Sequence, residues 1–152
     1  MNAVFVDTGG WMACVDGSDP ACQSCRSVRD VALESGQLLV TSDFVVDETL
    51  TLIRARLGLR TATAWWEQID GSARVRWERI DHERFERGQQ LFFRHDDKDL
   101  SFTDCTSFAL MRELKLTTAI TTDAHFQQVG FDVLPALRIR RPRKPRRTRP
   151  RQ

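Results

Sequence analysis

Short apolar runs alternate with longer stretches of helical periodicity through most of this chain, and that alternation limits its fold more than any other feature. Four runs are apolar or β-branched and short enough to be strands: residues 3–6, 37–40, 117–121 and 133–134. The stretches between them are long enough for helices, as in βαβ units. The pattern predicts an α/β domain built on a central, mostly parallel sheet.

Residues with known positional preferences predict where several helices begin and end. Ser42 or Asp43 can cap a helix after the second strand, because their side-chain oxygens accept hydrogen bonds from free backbone N–H groups. Asp81 can cap a later helix that runs to about His95. Residues 74–80 alternate in polarity, which is typical of an edge strand or of an extended connector.

The length of 152 residues is that of one domain, which buries about two thirds of the surface of its unfolded chain. The sequence contains no run of about 20 apolar residues, the length that a membrane-spanning helix needs. Its N-terminus lacks the charged segment and the cleavable apolar segment of a secretory signal. We therefore expect a cytoplasmic protein without a membrane partner.

Charge is distributed unevenly along the chain. Of its 23 basic side chains, nine lie in residues 138–152, which contain no acid, so residues 1–137 hold 14 basic against 21 acidic side chains. This division predicts a domain over residues 1–137 and a basic tail over residues 138–152, whose composition is typical of disordered segments.

The tail is a candidate RNA-binding segment, because clustered basic side chains are attracted to phosphate backbones. The residues with this predicted role are Arg138, Arg140, Arg141, Arg143, Lys144, Arg146 and Arg147. The alternative is a tail that keeps the protein soluble or docks on the domain. RNA binding by the full chain and by a chain without residues 140–152, measured over a series of salt concentrations, would distinguish the two.

The cysteines and histidines give no pattern of a zinc site. Cys22 and Cys25 have half of the usual spacing, but the other two cysteines are isolated and no histidine pair follows. We interpret all four cysteines as reduced core residues. The three histidines are isolated as well and are interpreted as solvated or capping residues: His82, His95 and His125.

Four acidic residues fall where an α/β fold would bring them to one edge of the sheet. Asp7 and Asp123 each follow an apolar run, so each would lie at the carboxyl end of a strand, where open α/β sheets place their ligands. Glu48 and Asp104 lie on predicted helices beside those strands. Glu48 shares a helix face with apolar residues, whereas Asp47 lies on a polar face and is interpreted as solvated.

Each of these acids has a structural interpretation on its own. Asp104, for example, falls in the first turn of a helix that Thr103 can cap, where the helix dipole favours an anion. Together the acids point to a cation, because several carboxylates in one pocket would otherwise raise one another's pKa values. Mg²⁺ prefers carboxylates and retained waters as ligands, and it can activate water to attack a phosphodiester. The sequence thus predicts a magnesium site suited to phosphodiester hydrolysis.

The segments around the four acids resemble the successive motifs of PIN-domain ribonucleases. The segments are VFVDTGGW, VVDETLTLIRARLG, DLSFTDCTSFALMRE and TTDAHFQQVGF, and their order and spacing match over residues 3–134. More narrowly, the compact size and the stretches SFTDCTSFALM and DAHF are similar to VapC-type toxins of bacterial toxin–antitoxin pairs.

This resemblance implies a three-layer α/β/α fold and a Mg²⁺-dependent endoribonuclease, with Mn²⁺ as the alternative ion. The expected partners are an RNA substrate, a cognate antitoxin protein and a second copy of the chain in a homodimer. By position, Thr8 and Asp99 support the site, and the catalytic and metal-binding roles fall on Asp7, Glu48, Asp104 and Asp123. Gly9 departs from the family's first motif, which often has a hydroxyl or amide side chain there, and the basic tail lies beyond the resemblance.

Three other interpretations fit the sequence less well. A catalytically silent PIN-like module, which binds RNA or assembles with other proteins, would have lost some of the four acids, and all are present. A receiver-type signalling domain would need an acidic pair after the first strand and a lysine after a late one, and neither is clear. A nuclease acting on DNA flaps would need additional clamp elements, for which this chain has little room.

Overall fold

The computed structural model describes residues 1–137 and contains a sheet of five parallel strands. The strands are β1 (Ala3–Val6), β2 (Leu38–Ser42), β3 (Val75–Glu78), β4 (Thr118–Ile120) and β5 (Asp132–Leu134). Their order across the sheet is β3-β2-β1-β4-β5, and every neighbouring pair is parallel. The predicted strands are confirmed within a few residues, and residues 74–80 supply an edge strand rather than a connector.

Within residues 1–137, seven helices connect and flank these strands. They are α1 (Thr8–Val15), α2 (Cys22–Glu34), α3 (Asp43–Leu57), α4 (Leu59–Ile69), α5 (His82–Arg94), α6 (Phe102–Glu113) and α7 (Ala124–Gln128). Helices cover the sheet on both faces, so the three-layer α/β/α arrangement is confirmed. From β1 the chain continues outward through β2 to β3, and it then crosses back to β4 on the other side of β1. This reversal of direction places a crevice at the carboxyl ends of β1 and β4.

The helices α3 and α5 begin where their capping residues predict. The Ser42 hydroxyl oxygen accepts a hydrogen bond from the backbone N–H of Val45 at 3.2 Å. The Asp81 carboxylate accepts one from the backbone N–H of Arg84 at 2.9 Å. Both bonds satisfy donors that have no partner inside their helix, so the local sequence is sufficient to set these boundaries.

The helix α1 was not foreseen, because two consecutive glycines disfavour a helix locally. It begins directly after Asp7, which occupies its N-cap position. A Cβ atom on Gly10 would lie 2.3 Å from the carbonyl oxygen of Ile120, a distance that no side chain tolerates. Glycine therefore allows α1 to lie against the end of β4, and this approach brings the two strand ends of the crevice together.

The helix α6 runs through the interior of the domain, and all of its residues from Asp104 to Met111 are buried. The ring of Phe108 packs edge-on against that of Phe126, with centroids 4.9 Å apart. Ser101 caps this helix, so the expectation that Thr103 does so is wrong. Because its body is anchored in the core, the first turn of α6 holds Asp104 in a fixed position.

Three further expectations from the sequence concern the cysteines, the membrane and the tail. All four cysteines are free and buried, as expected for small core residues. None of the helices within residues 1–137 combines the length and the apolar composition that crossing a bilayer requires. The basic tail, with the RNA-binding role predicted for it, lies outside the described residues.

Candidate metal centre

A cavity of about 380 Å³ opens at the carboxyl ends of β1 and β4, and six of the fourteen residues that line it are acidic. The four acids singled out from the sequence all border it: Asp7, Glu48, Asp104 and Asp123. The two expected supporting residues, Thr8 and Asp99, border it as well. The elements that carry them are distant in sequence, and only the sheet topology brings them together. That they bind a metal ion or take part in catalysis stays a prediction.

Asp7 follows the central strand β1 and is the most deeply buried of these acids, with 4% of its surface exposed. The Thr121 hydroxyl donates a hydrogen bond to its carboxylate at 3.1 Å. Burial, followed by the charge of Asp104, raises the pKa of Asp7 to about 7, although hydrogen bonds from Thr8 and Thr121 oppose the change. A buried carboxylate of this kind favours a proton or a metal ion as its partner.

Asp104 is both a capping residue and a member of the acidic cluster. The backbone N–H of Ser101 donates to its carboxylate at 3.2 Å, and the Ser101 hydroxyl accepts from the backbone N–H of Asp104 at 3.0 Å. Burial and then the charge of Asp123 raise the pKa of Asp104 to about 6, despite these bonds and with a smaller contribution from Glu48. Capping therefore explains the orientation of Asp104 but leaves its negative charge uncompensated.

Glu48 reaches the cavity from α3, and a hydroxyl group fixes its orientation. The Thr8 hydroxyl donates a hydrogen bond to its Oε2 atom at 3.2 Å. The neighbouring Asp47 is exposed and does not border the cavity, so the distinction drawn between the two from their helix faces is confirmed. Thr8 thus lies where a supporting residue is expected, directly behind a candidate ligand.

His125 was interpreted as a solvated or capping residue, and the structure corrects this because it borders the acidic cavity. The Nδ1 atom of His125 lies 3.0 Å from Asp123 Oδ1, which also accepts the backbone N–H of His125 at 2.8 Å. Asp104, Asp123 and His125 can each offer one ligand atom, and these three atoms lie within 4.8 Å of one another. Asp7 and Glu48 border the cavity beside this tight group.

Two more charged residues in the cavity wall were missed from the sequence. Asp19 borders the cavity, and its carboxylate accepts a hydrogen bond from the backbone N–H of Ala21 at 2.8 Å. Arg56 follows Glu48 by eight residues on α3, a helical spacing that returns to the same face. That spacing was the one available signal for Arg56.

The donor set of the cavity suits a divalent cation. Its carboxylates are hard oxygen ligands. The raised pKa values of Asp7 and Asp104 reflect burial and then repulsion from neighbouring acids, and a cation would compensate the negative charge. The imidazole of His125 adds one nitrogen donor beside Asp123. The residues therefore fit a carboxylate-bound metal ion at the edge of the sheet.

A comparison with protein-family models matches the PIN domain over residues 4–132 of this chain. Among curated proteins, the 23S rRNA-specific endonuclease VapC20 of Mycobacterium tuberculosis is 33% identical over 128 residues. That match covers 84% of this chain and 95% of VapC20. The similarity therefore extends over nearly the whole described domain and includes the segments that carry the acidic cavity.

Solved structures show the same fold. The crystal structure of M. tuberculosis VapC20, named a sarcin–ricin loop cleaving toxin, superposes with a TM-score of 0.77 at 32% identity and covers 85% of this chain and 96% of its own. VapBC2 of Rickettsia felis gives a TM-score of 0.66 at 9% identity, covering 86% of this chain and 96% of that one. The FitA–FitB complex of Neisseria gonorrhoeae gives 0.60 at 15% identity, covering 86% and 95%. The last two show likeness of fold alone.

The raised pKa of Asp7 predicts how the stability of the metal-free protein depends on pH. The folded protein holds this proton up to about pH 7, whereas the unfolded chain releases it near pH 3.8. The free energy of unfolding in EDTA should therefore fall as pH rises from about 4 to about 7. Urea unfolding of the wild type and of Asp7→Asn across this range measures the effect.

Asp7→Asn removes one of the titrating groups and should reduce this fall in stability, while the raised pKa of Asp104 accounts for the part that remains. The substitution Asp47→Asn, at an exposed acid outside the cavity, is the control and should keep the wild-type slope. If the stability of Asp7→Asn falls as steeply with pH as that of the wild type, burial of Asp7 does not control the pH dependence of stability.

Proposed function

This chain belongs to the PIN-domain family, and on that basis we propose that it is a metal-dependent endoribonuclease that acts as the toxin of a toxin–antitoxin pair. The observation that carries the proposal is the convergence of four carboxylates, on four different elements, in one cavity. Identity of 33% to VapC20 along nearly the whole domain supports the activity. A silent PIN-like module remains the alternative, and retention of all four acids argues against it.

We propose Mg²⁺ as the ion, with Mn²⁺ as the alternative, held by Asp104 and Asp123 and completed by Asp7 and Glu48. When bound, the ion supplies an activated water and neutralises charge on the phosphate that is attacked. The protein's own side chains orient the ligands: Thr121 holds the carboxylate of Asp7 and Thr8 holds that of Glu48. Asp99, exposed at the cavity edge, is proposed to assist from outside.

For the substrate we propose a loop of ribosomal RNA. VapC20 is named as specific for 23S rRNA and as cleaving the sarcin–ricin loop. Proteins that recognise RNA sequence mostly bind loops, bulges and ends, whose bases are free of the helical stack. An open cavity of about 380 Å³ on the surface of the domain is accessible to such a loop.

Removal of one ligand charge should stop cleavage without unfolding the protein. Asp104→Asn preserves side-chain volume but weakens metal binding, so the cleavage rate should fall about 100-fold or more. EDTA should abolish cleavage by the wild type. Initial rates on a sarcin–ricin loop hairpin with Mg²⁺ measure both effects.

The neighbouring pair on α3 supplies the control. Glu48→Gln should reduce the rate strongly, whereas Asp47→Asn should leave it near the wild-type value, because only Glu48 borders the cavity. Equal losses in the two variants would mean that the helix face was assigned wrongly. Undiminished cleavage of RNA in EDTA by a preparation free of other nucleases would contradict the metal-dependent mechanism. RNA binding without any cleavage would favour the catalytically silent module.

A cognate antitoxin is the expected protein partner. The carboxylates that border the cavity are those of Asp7, Asp19, Glu48, Asp99, Asp104 and Asp123. A basic side chain of an antitoxin segment would complement this charge and compete with the metal ion. Expression of the wild type alone should arrest bacterial growth, and co-expression of the small gene beside it should relieve the arrest. The Asp7→Asn form should be harmless. Normal growth with abundant soluble wild-type protein would contradict a toxin.

We also propose a homodimer, which an aromatic surface on α5 supports. The rings of Phe85, Phe92 and Phe93 are 41%, 37% and 73% exposed, and Phe102 lies 4.9 Å from Phe85 and 5.8 Å from Phe92 between ring centroids. Clustered exposed apolar side chains mark association sites. In a two-fold dimer the helix would pair antiparallel with its copy.

The aromatic surface, formed by Phe85, Phe92, Phe93 and Phe102, makes this dimer testable. Light scattering should give about twice the mass of 17.5 kDa for the wild type and the single mass for Phe93→Asp. Val31→Asp is the matched control, because Val31 is 60% exposed but lies on α2. A monomeric wild type across a concentration series, or dimers in both variants, would reject this surface.

A further inference from the structure

The helix α3 contributes both an acidic and a basic side chain to the cavity. Glu48, Leu52 and Arg56 follow one another at intervals of four residues and all border the cavity. An α-helix rises about 1.5 Å per residue, so Arg56 stands roughly 12 Å beyond Glu48 along the helix axis. An RNA strand that enters the acidic cluster and follows α3 toward its C-terminus would therefore pass Arg56.

Arg56 is exposed, and within residues 1–137 it forms no ion pair within 4.0 Å. By contrast, Arg84 and Arg87 are both bound to Glu113, at 2.7 and 3.0 Å. Asp16 feels the charge of Arg56 only as a minor influence, since hydrogen bonds from Ser18 are the main cause of its lowered pKa. The guanidinium of Arg56 is therefore free to bind a ligand.

We propose that Arg56 binds an RNA phosphate that flanks the cleaved one and so sets how the strand lies along the cavity. This inference rests on the proposed ribonuclease function. The carboxylates of Asp19 and Asp99, on the cavity wall, repel a polyanion, and Arg56 offsets that repulsion at the point where the strand leaves the acidic cluster. A guanidinium suits the task because it can donate two parallel hydrogen bonds to phosphate oxygens.

A purely structural role would make different demands on Arg56. If it served only to offset the negative charge of Asp16 and Asp19, its loss would lower stability and leave RNA binding unchanged. If it binds phosphate, its loss weakens RNA binding in proportion to the contacts removed, and stability stays level because the side chain is exposed. Thermal melting and RNA binding therefore separate the two roles.

Arg54 provides a matched control for this test. It is exposed, lies in the same last turn of α3 and carries the same charge. It stands two residues from Arg56, about 200° around the helix at 3.6 residues per turn, and it does not border the cavity. Arg54→Gln and Arg56→Gln thus change the net charge equally and differ only in the face from which the charge is removed.

Binding of a sarcin–ricin loop hairpin is measured over a salt series with Mg²⁺, in full-length protein with Asp104→Asn to suppress cleavage. Arg56→Gln should lower the slope of log affinity against log salt by about 0.7 to 0.9, the value of one phosphate contact. Arg54→Gln should leave the slope unchanged. Arg56→Lys should keep the slope, because it keeps the charge, but bind more weakly than arginine.

In the protein with Asp104 restored, Arg56→Gln should raise KM about tenfold or more and leave kcat nearly unchanged, since the contact is the same in ground and transition states. Equal slopes for Arg54→Gln and Arg56→Gln would overturn the proposal, and so would a fall in kcat at constant KM. A different result would separate the two proposals. If the wild type binds the RNA hairpin without cleaving it, and Arg56→Gln alone lowers the salt slope of binding, the ribonuclease function is contradicted. The phosphate contact of Arg56 is then supported.

Discussion

Burial of carboxylates that also repel one another across one cavity is the constraint on which the rest of this structure depends. Asp7 and Asp104 have raised pKa values because burial disfavours their charge and because each lies near another acid. Such an arrangement opposes folding near neutral pH unless protons or a cation compensate it. The surrounding protein therefore has to hold these side chains in place against their own repulsion.

Rigid elements provide that hold. Asp104 stands in the first turn of a helix that is buried from Asp104 to Met111, and Ser101 fixes its carboxylate by a reciprocal cap. Asp7 ends the central strand and is held by the hydroxyl of Thr121. Gly10 lets α1 approach the end of β4, so that the strand ends which carry Asp7 and Asp123 face one crevice. Core packing and glycine placement thus serve the geometry of the cavity.

An acidic cavity poses a second problem for a nuclease, because RNA is itself a polyanion. A bound cation would neutralise the cluster where the backbone is attacked, but acids such as Asp19 and Asp99 extend along the wall beyond it. Arg56 is the permanent cation among the side chains that border this cavity within residues 1–137. Under the proposed function, metal affinity and substrate affinity therefore fall to different residues of α3.

The sequence by itself determined most of the elements and most of the candidate ligands. Apolar runs and caps such as Ser42 and Asp81 act over a few residues, and the helix face distinguishes Glu48 from Asp47, because these effects depend on local backbone geometry. Only the tertiary structure decided that α1 forms across a Gly-Gly pair and that His125 and Arg56 border the acidic cavity. Those outcomes depend on contacts between segments far apart in the chain, such as Gly10 against Ile120. Helical spacing relates Arg56 to Glu48, but only the assembled sheet makes that part of α3 border a cavity.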